Sequence, residues 1–179
     1  LSLVILETSS KAFSIYKKKV FQEVSKITKD KQITFNWLRL FYVYGPGQKE
    51  NSIIPMLINN FKNNKPINIH YPSNKNDFIY VGDVIKIIGE FISKDCPSGI
   101  YNVGTGKGIM VYELLKIIDN VINGNNNLAV EYLKNIDINK KNESFFSCTK
   151  KLKKHFDNLE FVDIKDGIKD KANAVGIKW

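Results

Sequence analysis

The sequence predicts an α/β fold. Short runs rich in β-branched and aromatic residues alternate with longer segments of helical periodicity, and Gly/Pro punctuation separates them. The 179 residues suffice for one ordinary domain with its own core. No internal repeat or linker divides them, so the chain reads as one domain or part of one, with a parallel component to its sheet.

The elements follow in order. Residues 11–29 carry Phe13, Tyr16, Val20, Val24 and Ile27 at three- and four-residue spacing, with Lys18, Lys19 and Lys26 facing away. A helix is expected there with that stripe inward and Ser9 or Ser10 at its start. ITFNWLRLF (33–41) reads as a largely buried strand, which YGPGQ then breaks. Residues 52–63 offer Ile53, Ile54, Leu57, Ile58 and Phe61 to one side of a second helix, and INIH (67–70) reads as a short strand. FIYV (78–81) is extended, and Asp83 caps or opens a helix to about Ser93, with Val84, Ile87, Ile88 and Phe91 inward. GIYNVGTG (99–106) is a buried strand ending in a Gly-rich turn. VYELLKIIDNVI (111–122) is an amphipathic helix closed by Asn123-Gly124, and LAVEYL (128–133) alternates as a strand. A polar loop, NIDINKKNESFF, leads to terminal helices in TKKLKKHF and 163–175.

The formal charge of +9 does not by itself indicate a nucleic-acid partner. Of the 27 basic residues 26 are Lys, and Arg39 is the single Arg. Nucleic-acid readers favour the bidentate guanidinium. With 20 Asn and frequent Ile, the Lys excess reads as a solvated surface of compositional origin. No apolar run approaches the ~18 residues of a membrane span. LSLVIL is too short, and lacks the basic leader, for a signal peptide. A soluble, cytoplasmic protein without membrane contact is expected. Cys96, Cys148, His70 and His155 are isolated from one another, so no metal site is expected.

Gly104-Thr105-Gly106-Lys107-Gly108 invites a phosphate-loop reading but lacks the Lys-Ser/Thr step, and it does not match G-x-G-x-x-G. By itself it is a turn between strand and helix, although a helix start there favours an anion.

In combination, WLRLFYVYGPGQ (37–48), NSIIPMLI (51–58), NDFIYVGDV (76–84), GIYNVGTG (99–106) and the terminal TKKLKKHF with IKDGI resemble the NAD-dependent epimerase/dehydratase family of extended short-chain dehydrogenase/reductases. The resemblance covers nearly all residues after about 10 and extends to the family's C-terminal half. It implies the C-terminal portion of a Rossmann-like fold with the small substrate-binding subdomain, the N-terminal dinucleotide-binding half being missing. Residues 1–10 are then an N-terminal remnant, and 11–179 a partial domain. Strand 33–41 would pair with strands outside this chain and leave an exposed apolar edge, so marginal solubility or self-association is expected.

The family's active pair is Tyr-x-x-x-Lys, one helical turn apart, in which Lys binds the nicotinamide ribose and lowers the Tyr pKa for proton transfer. The family spacing places that pair at Phe13 and Lys17, and Phe has no ionisable group. Tyr16 is a neighbouring candidate, but its i+4 partner is Val20. The resemblance also implies substrate contacts at Tyr42, at Pro55 in the helix that encloses the sugar nucleotide, and at Asn76. Asn76 stands where the family often has a diphosphate-gripping Arg, and Lys75 is a compensating point charge. Each of these positions also has a purely structural reading. The cofactor implied is NAD or NADP, not bound by this chain alone, and the partner a nucleoside-diphosphate sugar. The expected function is a fragment of a nucleotide-sugar epimerase, dehydratase or reductase, inactive by itself. The alternatives are a non-catalytic sugar-nucleotide binding module, or a subunit completed by a separately encoded N-terminal half. Relatives often form homodimers through the Tyr-Lys helix.

Overall fold

The computed structural model of the chain describes residues 2–8, 14–156, 158–174 and 176. Phe13, Ser9 and Ser10 lie outside them. A three-stranded parallel sheet runs in the order β1 (Ser2–Thr8), β2 (Thr34–Leu40), β6 (Gly99–Val103), with Leu6 opposite Leu38 and Leu38 opposite Tyr101. Two smaller pairs flank it. β3 (Tyr42–Tyr44) runs parallel to β5 (Phe78–Tyr80), and β4 (Lys75–Asn76) antiparallel to β7 (Ile109–Met110).

β2 is buried on both faces, as expected of a central parallel strand covered by helices. On one face α1 (Ser14–Asp30) sets the Phe21 ring against Phe35 and Trp37, with centroids 5.8 and 5.3 Å away. On the other, α3 (Val81–Ser93) and α6 (Lys150–His155) enclose Leu38, Leu40, Ile79, Ile87, Phe91, Tyr101 and Phe156. A second core joins α2 (Ile53–Lys62), α4 (Val111–Asn123) and α7 (Ile164–Ala174) around Tyr44, Leu57, Phe61, Phe78, Leu115 and Ile168. α4 ends where Gly124 takes the left-handed conformation, φ 71°, and its N–H donates to the Asn120 carbonyl. No helix among the described residues is long and apolar enough to cross a membrane.

Several expectations are corrected. The exposed apolar edge does not lie on 33–41, because β1 and β6 cover both sides of β2. Residues 2–8 supply the sheet's edge instead, with Leu3 and Leu6 exposed. The inward stripe of α1 is also different. Tyr16 (69% exposed), Val20 and Ile27 face solvent, while Phe21, Val24 and Thr28 face the sheet. Apolar residues lie on two adjoining stripes of this helix, and the aromatic surface of β2 selects the one with Phe21. Thr28 is tolerated inside because its hydroxyl donates to the Val24 carbonyl at 2.8 Å.

INIH forms no ladder. Ile67 and Ile69 nevertheless pack on the second core, and the Ile69 N–H donates to Tyr132 Oη at 2.9 Å. LAVEYL is helical, as α5 (Asn127–Lys134), because buried Asp119 on α4 accepts the Ala129 N–H at 2.8 Å and so fixes the helix's first turn. Six alternating residues fit either period, and a tertiary bond decides between them. Asp83 does not cap α3. Tyr80 holds that position, and Asp83 accepts the Val162 N–H at 2.9 Å, pinning the segment that leads to α7.

Candidate functional site

In parallel α/β sheets, ligands gather beyond the carboxyl ends of the strands. Here β2 and β6 end together at Leu40 and Val103, and both chains turn immediately. The Phe41 N–H donates to the Val103 carbonyl and the Tyr42 N–H to the Asp77 carbonyl, each at 3.1 Å, so the path from β2 into β3 is tied to both neighbours.

Asp77 organises this end of the sheet. It is fully buried, and its carboxylate fills the Gly-rich turn after β6. Oδ1 accepts the Thr105 N–H at 2.9 Å and the Thr105 hydroxyl at 2.6 Å. Oδ2 accepts the Gly106 N–H at 3.0 Å, the Ser147 N–H at 3.2 Å and the Ser147 hydroxyl at 2.5 Å. The turn therefore has the chemistry of an anion cradle, and the anion is the protein's own carboxylate. A Cβ at Gly104 would stand 2.5 Å from Asp77 Oδ2 and 2.6 Å from Ser147 Oγ, so only glycine lets the backbone approach this closely.

The same carboxylate draws in the polar loop between α5 and α6. Phe145 pairs with the 75–77 segment: its N–H donates to the Lys75 carbonyl at 2.8 Å, and its carbonyl accepts the Asp77 N–H at 3.0 Å. Ser144 Oγ accepts the Lys75 N–H at 3.1 Å, and Asn74 Oδ1 the Asn142 N–H at 2.7 Å. Stitched down in this way, the loop lays the Phe145 ring on Phe41, stacked at 4.5 Å and 23°, and edge-on to Tyr42 at 5.9 Å. Tyr42 also leans on Phe78, 5.6 Å away. Tyr42, Phe145 and Phe146 remain exposed, and Lys75 Nζ lies 6.0 Å from the Phe146 centroid. An open aromatic face thus stands at the carboxyl end of the sheet, and an ammonium lies beside Phe146, the next residue after Phe145. Such a face can stack a planar base while the cation meets a neighbouring anion.

Of the positions singled out in the sequence, Tyr42 and Asn76 meet here. Asn76 is buried in β4, paired with Ile109 and bridged to Phe145. Pro55 does not join them. It is buried in the first turn of α2 and lines a cavity of about 280 Å³ facing α7. Lys17 sits half-buried on α1, the helix packed against Phe35 and Trp37. Phe13, its partner by the family spacing, lies outside the described residues. The sequence reading missed Asp77 and Phe145. The first had a signal, an acid at the head of the apolar run DFIYV with a Gly-Thr-Gly turn downstream. The second had none, since Phe145 is placed by bonds between backbones far apart in the chain.

Tyr44 and Tyr80, the next tyrosines along β3 and β5, are held in the protonated form. Burial, reinforced by the charges of Asp83 and Asp163, pushes the Tyr44 pKa far above the usual phenol range. Tyr80 donates to Asp170, and that bond, with a smaller contribution from burial, raises its pKa as well. Nor do the described residues fit the pyrophosphate of a dinucleotide. The Gly-rich turn after a parallel strand is already filled by Asp77, and the 179 residues contain no G-x-x-G-x-x-G.

Comparison with known proteins gives a consistent answer. Residues 5–104 match the profile of the NAD dependent epimerase/dehydratase family. The chain is 38% identical over 105 residues to CDP-abequose synthase of Salmonella muenchen, covering 56% of this chain and 36% of that protein. It is 30% identical over 126 residues to ADP-L-glycero-D-manno-heptose-6-epimerase of Fusobacterium nucleatum, covering 63% and 38%. Among solved structures, UDP-N-acetylglucosamine 4-epimerase of Methanobrevibacter ruminantium, in complex with UDP-N-acetylmuramic acid, superposes with a TM-score of 0.73 at 20% identity. That match covers 96% of this chain and 62% of the other. The chain thus spans little more than a third of the length of these curated relatives.

Proposed function

The chain belongs to the NAD-dependent epimerase/dehydratase family, and from that premise we propose that it supplies the surface on which a nucleoside-diphosphate sugar is held. The observation that carries this reading is the aromatic face of Phe41, Tyr42 and Phe145 at the carboxyl end of the parallel sheet, with Lys75 beside the next ring along the chain, Phe146. In this reading the exposed rings take the base. Lys75 contributes charge toward the diphosphate where Asn76 contributes none. Lys17 is the group that would meet a nicotinamide ribose.

Phe13 cannot ionise, and loss of a general acid–base group costs on the order of 10²–10⁴ in rate. The sequence also carries no glycine fingerprint to hold the redox cofactor, whether NAD or NADP. A cytoplasmic setting agrees with its two free thiols.

Isothermal titration of the purified chain with UDP-, CDP-, dTDP- and ADP-linked sugars tests the proposal. Saturable binding of at least one is expected, weakened about tenfold by Phe145→Ala, the scale of one base–aromatic stack. Absence of heat from all four, or equal affinity in the variant, would sink it.

A second reading has its own support. Among the described residues β1 is paired on one side only, with Leu3 and Leu6 exposed, which suits a strand supplied by a dinucleotide-binding unit. Co-purification with such a partner and bound NAD would favour the split enzyme. The exposed stripe Tyr16, Val20 and Ile27 on α1 suits a homodimer, which sedimentation would reveal.

A further inference from the structure

We propose that the cavity between α2 and α7 binds a small monoanionic carboxylate, with Lys171 as its floor. This inference does not rest on the aromatic face, with which the cavity shares no residue, and it gives Pro55, a substrate contact by the family resemblance, a place in the wall of a different pocket.

Lys171 is 3% exposed, on the buried side of α7. Its Nζ donates to the Gln48 carbonyl at 3.4 Å, longer than the 2.7–3.2 Å of an ordinary N–H···O bond. It makes no ion pair among the described residues. An ammonium carries three donors, and burying it with so little compensation is costly unless something else fills them. A cavity of about 280 Å³ lies against it, walled by Pro55 and Ile58 and rimmed by Asn59, Lys62 and Glu50. Asn63 donates to Asn59 Oδ1 at 2.8 Å, which orients the Asn59 amide with its NH₂ as the donor end.

The donor set decides the ligand class. Two ammonium groups and a carboxamide NH₂ call for an oxyanion. The charges of Lys62 and Lys171 against Glu50 leave a net single positive charge, which balances a carboxylate and leaves a phosphate dianion overcharged beside Glu50. The volume, just under the ~300 Å³ where sites for drug-sized molecules begin, admits a small organic acid with room for ordered water. Glu50, an acceptor on the rim, suits a hydroxyl on that occupant, so a short hydroxy acid fits best.

The test is a two-dimensional amide NMR titration of the full chain with sodium lactate at fixed ionic strength, run beside inorganic phosphate and sodium chloride. Saturable shifts at Gln48, Asn59 and Lys171 with a Kd of about 1 mM are expected with lactate, and weaker ones with phosphate. Lys171→Met, which keeps the stem's volume, removes saturation. Lys62→Gln, on the surface, weakens it about fivefold and decides the matter if the first variant does not fold. Shifts that rise linearly and equal those in chloride overturn the site, as does undiminished binding in either variant. Phosphate binding as tight as lactate overturns the carboxylate assignment.

Discussion

Replacing Asp77 by Asn changes one atom of a fully buried side chain, and the structure says what that atom does. Five donors converge on the two oxygens. The amide's best orientation keeps its oxygen where Oδ2 receives Gly106 and Ser147, and turns its NH₂ toward Thr105. The Thr105 hydroxyl can rotate to accept, but the Thr105 N–H is then left without an acceptor, worth about 1–3 kcal/mol. The three remaining bonds lose their charge assistance, at about 1 kcal/mol each, partly offset because a neutral amide costs less to bury than a carboxylate. A loss of about 3 kcal/mol follows. Asp77→Ala, which strands the Thr105 and Ser147 N–H groups and leaves the Gly106 N–H only its bond to Ser147 Oγ, should lose about 4 kcal/mol. Urea unfolding followed by circular dichroism measures the first quantity. Native-state hydrogen exchange measures the local one, with protection at Thr105, Gly106 and Ser147 expected to fall about a hundredfold. Ser144→Ala, which removes only the exposed acceptor of the Lys75 N–H, is the control and should cost less than about 1 kcal/mol. Asp77→Asn within about 0.5 kcal/mol of the parent, with unchanged exchange, would refute the view that this carboxylate builds the site.

Two further outcomes are expected. Gly104→Ala should destabilise the fold by about 2–3 kcal/mol, because its Cβ meets Asp77 Oδ2 at 2.5 Å, whereas Gly89→Ala on α3 meets nothing within 4 Å and should stabilise by roughly 0.5–1 kcal/mol; thermal melts of both variants check the contrast. Stability should also fall in alkali. Burial raises the pKa of Tyr44 and Tyr101 above the unfolded value of 10, so each contribution is fully present below pH 10. As the pH rises from 10 toward the folded values, the unfolded chain loses protons that the native one keeps. Denaturation midpoints between pH 9 and 12 should show a decline approaching about 1.4 kcal/mol per pH unit from Tyr44, with Tyr101 adding in the same direction, and a flat profile would contradict the burial of these phenols.

The amino-acid order by itself determined the elements whose pattern is long and unambiguous. α4 carries consistent apolar spacing over its 13 residues, in phase with its Gly124 stop, and β6 with its glycine turn is equally legible. The α/β class and the family follow from such stretches, because local periodicity and joint motifs survive without knowledge of neighbours. Tertiary structure decided the rest. Which stripe of α1 is buried depended on the rings of Phe35 and Trp37 that β2 presents. Whether 128–133 is strand or helix depended on Asp119, a carboxylate held on another helix. The anion in the glycine turn is Asp77, and Phe145 reaches Tyr42 because backbone bonds to Lys75 and Asp77 hold it there. All of these contacts join residues well separated along the chain. Their energies exceed the small differences between local conformations, and no window of sequence contains both partners' geometry.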